Sequence, residues 1–251
     1  MWHSVNMNKY ILISIFCIQG IYAQEIVTDR PDQTESSSTI PNQSLQIECG
    51  IQYTTNSTGN RIEKQLLLPT TLFRIGVIQK IEFRILSQLE FYQERQDSSS
   101  HIGLSDIEIG TKIQLFQRPN SWIEVAFLSH LVLPIGSFGL SNEQLGSINK
   151  VCISHPIGKE INLGYNIGYN YFGDKNGDLT YSLALGFEIS EKASIYIEPF
   201  GTINNFIQNE TFVDFGFCYL IHENLQIDFS LGTGVTKRMN YLSSGFSWLI
   251  Q

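Results

Sequence analysis

From residue 44 onward, apolar and polar residues alternate almost without interruption. Leu45, Ile47, Cys49, Ile51 and Tyr53 alternate with Gln46, Glu48, Gly50, Gln52 and Thr54. Ile161, Leu163, Tyr165, Ile167 and Tyr169 alternate with polar residues and glycines, as do Leu225, Ile227, Phe229 and Leu231. Successive side chains of a strand point to opposite faces, so each segment has one apolar and one polar face. No segment carries a helical stripe. The pattern predicts an all-β chain with strands at 44–55, 63–76, 79–92, 102–116, 121–134, 147–157, 159–171, 178–189, 193–203, 210–221, 224–234 and 241–250.

Most of these strands exceed the five or six residues usual in soluble sheets. Their length suits a tilted strand crossing a bilayer. Tight turns near Ile78, Pro119–Asn120, Gly158, Ser190–Lys192 and His222–Asn224 alternate with longer connections at 56–62, 93–101, 135–146, 172–177, 204–209 and 235–240. Short periplasmic turns and long external loops describe a transmembrane antiparallel up-and-down β-barrel of about 12 strands, spanning 44–251. Lipid offers no hydrogen bonds, so a spanning sheet must close on itself. A soluble β-sandwich also alternates, but its strands are shorter and it lacks this loop asymmetry. The outward phase sets Tyr53, Phe91, Tyr169 and Tyr181 near one rim and Tyr219 and Trp248 near the other, as two interfacial girdles.

Residues 1–23 read as a secretory signal: Lys9 supplies the positive start, Tyr10 to Ile18 the apolar core, and Ala23 the small residue at the cut. Cys49, Cys152 and Cys218 lie in strand-like segments and read as small apolar residues rather than a disulfide framework. The net charge of -8 argues against a nucleic-acid partner. No metal or cofactor motif is present. The expected partners are outer-membrane lipid and a small-molecule solute, and the sequence leaves a periplasmic partner open.

The mature chain also resembles a bacterial outer-membrane family filed under the phenol-degradation meta-pathway and often called simply "transporter". The resemblance rests on Thr28-Asp29-Arg30-Pro31-Asp32-Gln33-Thr34-Glu35-Ser36 and Ser44-Leu45-Gln46-Ile47-Glu48. Leu68-Pro69-Thr70-Thr71-Leu72-Phe73-Arg74 and the stretch from Gly103 to Lys112 add to it. So do His130 to Ser137 and Leu163 to Tyr169. It implies an outer-membrane barrel with a channel or transport role, no established substrate and no phenol chemistry. Many such barrels end on an aromatic residue; here the last residue is Gln251, with Phe246 and Trp248 in the outward phase.

Strand phase puts Glu48, Glu82, Glu90, Asp106, Glu108, Glu124, Glu160, Glu188, Glu198, Asp214 and Asp228 on the inward face, with Arg74, Lys80, Arg84 and Lys112. A base on the lipid face at mid-depth costs about 2–4 kcal/mol, so this confinement supports the phase. Acids outnumber bases, so one reading is a lumen that favours cations or neutral polar solutes. The other is an ion-paired network that props a narrow barrel shut, with Phe116, Trp122 and Leu128 filling space.

Residues 24–43 carry Asp29, Arg30, Asp32 and Glu35 and read as a periplasmic plug, gate or plain cap. Their acid excess speaks against entry into an acidic lumen, and Arg30 is the residue expected to meet a lumen carboxylate. Three other roles need different features. Lateral delivery of hydrophobic or aromatic molecules needs a gap in the wall, for which Pro69 and Pro199 are candidates. Adhesion or a sealed structural barrel would use the 135–146 loop. A hydrolase needs a serine and histidine in contact, yet Ser129-His130 and Ser154-His155 are strand neighbours facing opposite ways.

Overall fold

The computed structural model describes residues 26–59, 61–96, 99–118, 121–158, 160–173 and 176–251. The expected signal, residues 1–23, and the Pro119–Asn120 turn lie outside the described residues. The strands are β1 (Leu45–Thr58), β2 (Arg61–Ile78), β3 (Ile81–Glu94), β4 (Ser99–Leu104), β5 (Ile107–Phe116), β6 (Glu124–Leu133) and β7 (Gly146–Ile157). They continue with β8 (Ile161–Tyr171), β9 (Asp178–Ser190), β10 (Ala193–Asn204), β11 (Gln208–His222), β12 (Leu225–Gly234) and β13 (Arg238–Ile250).

Every pairing is antiparallel; all join sequence neighbours except β3 with β5 and the closure of β1 on β13, which runs from Leu45↔Ile250 to Ser57↔Arg238. β4 and β5 both pair with β3 and form two parts of one wall strand, so the barrel has twelve staves. The break at Ser105–Asp106 divides the single strand expected over 102–116.

Exposure alternates in the sense opposite to that of a soluble protein. Along β12, Ile227, Phe229 and Leu231 are 41%, 40% and 47% exposed, while Asp228 and Ser230 are 3% and 0%. Apolar side chains face outward and polar ones inward, the arrangement lipid imposes on a closed sheet. Tyr53, Tyr169, Tyr219 and Trp248 are among the exposed outer aromatics. An inner apolar patch, Ala126, Leu128 and Cys152 with Ile148, lines the β6–β7 wall.

Bulges shift the phase locally. Between Gln114 and Phe116 the register slips, so Phe116 pairs with Val125 on the outer side instead of filling the lumen. Trp122 lies in the turn before β6, 72% exposed and stacked on His155, so it does not fill the lumen either. A slip between Leu67 and Thr70 throws Leu68 and Pro69 out of the ladder. Pro199 keeps register: Ile197↔Leu185 and Phe200↔Ser182 continue across it, and the ladder to β9 is interrupted at Glu198 and Pro199, where the proline has no N–H to give.

The strands extend into several of the expected external loops, shortening them to 59–60, 95–98, 205–207 and 235–237, while 172–177 stays as expected. Only 134–145 is long. Conversely, β5 and β6 end and begin at Phe116 and Glu124, a wider interval than expected on the opposite rim.

Candidate functional site

Residues 26–44 precede β1 at the rim of the short turns and lie within the barrel. Ile26 is buried near β10–β12, and the segment rises to Asp29–Gln33 before returning to Gly76, whose carbonyl accepts the Gln43 N–H at 2.8 Å. Side chains of the wall hold its backbone. Glu48 accepts the Asp29 N–H, Glu198 the Gln33 N–H at 2.7 Å, Asn166 the Glu35 N–H at 2.7 Å, and Glu82 the Ile40 N–H at 2.9 Å. Thr34 donates to Glu198, and Ser37 and Ser38 bond to Glu124. An extended segment with no ladder partner needs such acceptors, because a buried backbone N–H left unpaired costs about as much as a lost hydrogen bond.

The inward charges are divided between two walls. On one, Arg74 of β2 donates to Glu82 at 2.8 Å and to Glu48 at 2.9 Å. Arg84 of β3 meets Glu82 at 2.9 Å, and Lys112 of β5 lies beside them. All three bases are essentially fully buried. Adjacent strands carry them at one level: Arg74 is paired with Arg84, and Glu82 with Lys112. Removing one such base strands its acids, a change worth about 3–5 kcal/mol.

Asp29 completes this wall: its carboxylate accepts from Arg84 at 2.6 Å, Lys112 at 2.8 Å and Arg74 at 3.2 Å. Burial opposes its charge, but Arg74, Lys112 and Arg84 outweigh that and hold the carboxyl well below its ordinary range. Glu35 meets Arg84 at 2.9 Å, and the bases likewise lower it against the effect of burial. The acid excess of the segment is thus matched by a local basic wall that the summed charge hid.

The opposite wall is acidic, with Glu198 on β10, Asp214 on β11 and Asp228 on β12, all buried. Asp228 is paired with Arg30 at 3.0 Å. The Arg30 guanidinium lies flat on the Gly50–Gly245 pair of the closing seam. A Cβ on Gly50 would come within 2.5 Å of Cζ, and one on Gly245 within 2.6 Å of Nη2. The same guanidinium reaches Ser243 at 3.1 Å. Asp32 faces Glu198 and Asp214; burial first, then those two charges, hold its carboxyl well above the ordinary range. Tyr241 donates to Asp214.

His130 on β6 accepts from Arg84 Nε at Nε2 (3.1 Å), so its Nδ1–H donates to Glu108 at 2.8 Å. Glu90 is buried and accepts from Ser105 and Gln65. Glu188 is exposed at the end of β9 and lines the cavity at that mouth.

Three placements depart from the strand-phase expectation. Lys80 is exposed in the β2–β3 turn at φ 69°, because the strand has already ended. Glu160 is exposed in the turn before β8 for the same reason. Asp106 sits in the β4–β5 break, where it accepts the N–H groups of Gly136 and Asn142 at 2.9 and 2.8 Å. It tethers loop 134–145 rather than facing free lumen.

The segment separates two cavities. One of about 370 Å³ is lined by Gln52, Leu86, Leu128 and His130 on the loop side. One of about 440 Å³ is lined by Ser154, Asn162, Glu188 and Gln226 on the turn side. The seryl–histidyl pairs diverge: Ser129 bonds to Asn149 on the outer face while His130 points inward. Ser154 meets Ser37 inside, while His155 stacks on Tyr165 outside.

The sequence profile of the family described as "Putative MetA-pathway of phenol degradation" matches residues 28–250. No curated protein matches in sequence. Among solved structures, an outer membrane channel from Pseudomonas putida F1 superposes with a TM-score of 0.73 at 9% identity, covering 90% of this chain and 100% of that one. The KdgM porin in complex with disordered oligogalacturonate gives 0.51 at 11%, covering 79% and 98%. The translocator domain of the autotransporter NalP from Neisseria meningitidis gives 0.51 at 11%, covering 84% and 89%. At such identities the likeness is one of fold, that of the bacterial outer-membrane barrel.

Proposed function

The chain belongs to the MetA-pathway phenol-degradation family, and from that premise we propose that it is an outer-membrane channel that passes a small polar solute through its lumen, with residues 24–43 as its plug. One observation carries this reading: a charged, inward-facing lumen is crossed by a segment of the same chain, with a cavity on either side. A barrel that served only as a support needs no such divided interior. The summed inward charge favours cations, whereas the separation of bases and acids onto facing walls makes the local field the deciding quantity.

Planar-bilayer recording tests the proposal. The intact chain is expected to conduct weakly and the chain lacking 24–43 to conduct steadily. Silence from both, with folded protein present, removes the channel reading.

A second reading, lateral delivery of apolar molecules, is favoured by β4. Among the described residues β4 has one strand partner, β3, and its other edge is covered by loop 134–145 through the Ser137 N–H to Leu104 carbonyl bond at 2.8 Å. Phe138 and Ile135 of that loop are 89% and 63% exposed, so the cover carries apolar side chains.

A further inference from the structure

We propose that Arg74, Arg84 and Lys112 form a binding site for a small carboxylate-bearing solute, and that Asp29 and Glu35 occupy it as internal stand-ins. This rests on the plug reading above and names the solute class for the same lumen.

The first ground is charge balance. Three buried bases stand against two wall carboxylates in direct contact with them, Glu48 and Glu82. Glu108 is bonded to His130 instead. A buried cation without a partner is strongly disfavoured, so the wall by itself is built one anion short. The segment supplies that charge, and the barrel does not. Lys150, 3.8 Å from Glu35, adds to the surplus.

The second ground is geometry. Arg84 presents Nη1 to Asp29 at 2.6 Å and Nη2 to Glu35 at 2.9 Å. Lys112 Nζ bridges both Asp29 oxygens at 2.8 and 2.9 Å and stands 3.4 Å from Glu35. Two carboxylates share one guanidinium fork and one ammonium, which is how a compact dicarboxylate would be gripped.

The third ground is access. The cavity of about 370 Å³ is lined by Arg84 and Lys150 together with Asp29 and Glu35. A solute entering it meets the site where the segment's own carboxylates sit. The volume is that of a small-molecule pocket. Asp32 faces the acidic wall and gives the segment no electrostatic hold there. A carboxylate that captures Arg84 and Lys112 therefore removes the main ionic anchorage of the segment on the basic wall.

Isothermal titration of succinate into the detergent-solubilised full chain tests the site, with uncharged succinamide as control. The Asp29→Asn/Glu35→Gln double variant is expected to bind succinate at least tenfold more tightly than the unmodified chain. Adding Arg84→Gln is expected to reverse that gain. None of the three chains should bind succinamide. Equal succinate affinity in all forms, or equal binding of succinamide, overturns the proposal.

Heat-dependent gel migration reports whether each variant is folded. Should the double variant not fold, the unmodified chain carries the test. Succinate at the outer face should then raise its bilayer current at least threefold while succinamide leaves it unchanged, and equal responses overturn the site. Succinate binding without conductance keeps the site and removes the channel. Conductance without succinate binding does the reverse.

Discussion

Asp29 and Asp32 lie three positions apart on one segment, yet their surroundings drive their protons in opposite directions. Asp29 is ionised against three bases, so its contribution to seating the segment is complete above the ordinary carboxylate range and lost as pH falls through its lowered value. Asp32 is raised by burial and by Glu198 and Asp214, so it holds its proton in the seated state at a pH where the free segment has released it. Seating is therefore weakened progressively as pH climbs from the ordinary carboxylate range, about 3.9, toward the raised value. The Asp32→Asn variant should remove this alkaline loss. Protease cleavage of residues 26–43 followed from pH 5 to 9 should rise with pH in the unmodified chain and stay flat in the variant. A parallel rise in both would discard the assignment. At this scale the alternation made Glu48, Arg74 and Arg84 legible as inward residues. It could not announce their partners, because residues 26–43 have no period from which a direction can be read. Gly50 and Gly245 were silent for a related reason: only the course of Arg30 shows what a side chain there would meet.

The elements follow the sequence wherever the period is unbroken and escape it at bulges. One inserted residue reverses every face beyond it, which is why Phe116 turns outward and why Leu68 and Pro69 leave the ladder. The β4–β5 break is another such place, since Ser105 and Asp106 continue the alternation in sequence while leaving the strand in space. Asp106 uses the break to accept two backbone N–H groups of loop 134–145. Two bonds to one charged acceptor are worth about 3 kcal/mol or more. The Asp106→Ala variant should release the loop without unfolding the barrel: limited proteolysis should cut within 134–145 at least tenfold faster while the thermal midpoint changes little. A loop that stays protected would show that its contacts with β4, Ser137 to Leu104 and Phe138 to His101, hold it without Asp106. The same variant separates the two routes through the molecule, because lateral uptake of an apolar dye would respond to it and lumenal current would not.

At the level of the whole molecule, a mean hydropathy of -0.04 describes no part of the protein. It averages a lipid-facing exterior with a charged interior, and the charged fraction of 16% is low because half the strand positions cannot carry charge cheaply. Phe229, near the middle of β12 and outward, tests that division. Phe229→Arg should lower stability by about 2–4 kcal/mol in urea unfolding from lipid vesicles. A loss below about 1 kcal/mol would mean that this face does not meet the bilayer core.

Arg30 gives the molecule a further property. Its guanidinium lies over the one joint where the first and last strands meet, touching the β1 and β13 glycines and bonded to Asp228 and Ser243. It acts as an internal clasp on the hoop, placed where a cylinder made from a single ribbon is most easily prised apart. Withdrawing the segment thus unclasps the hoop at the same moment that it clears the bore. Lateral pressure from the surrounding lipid would then be borne at that joint by the β1–β13 ladder without the clasp.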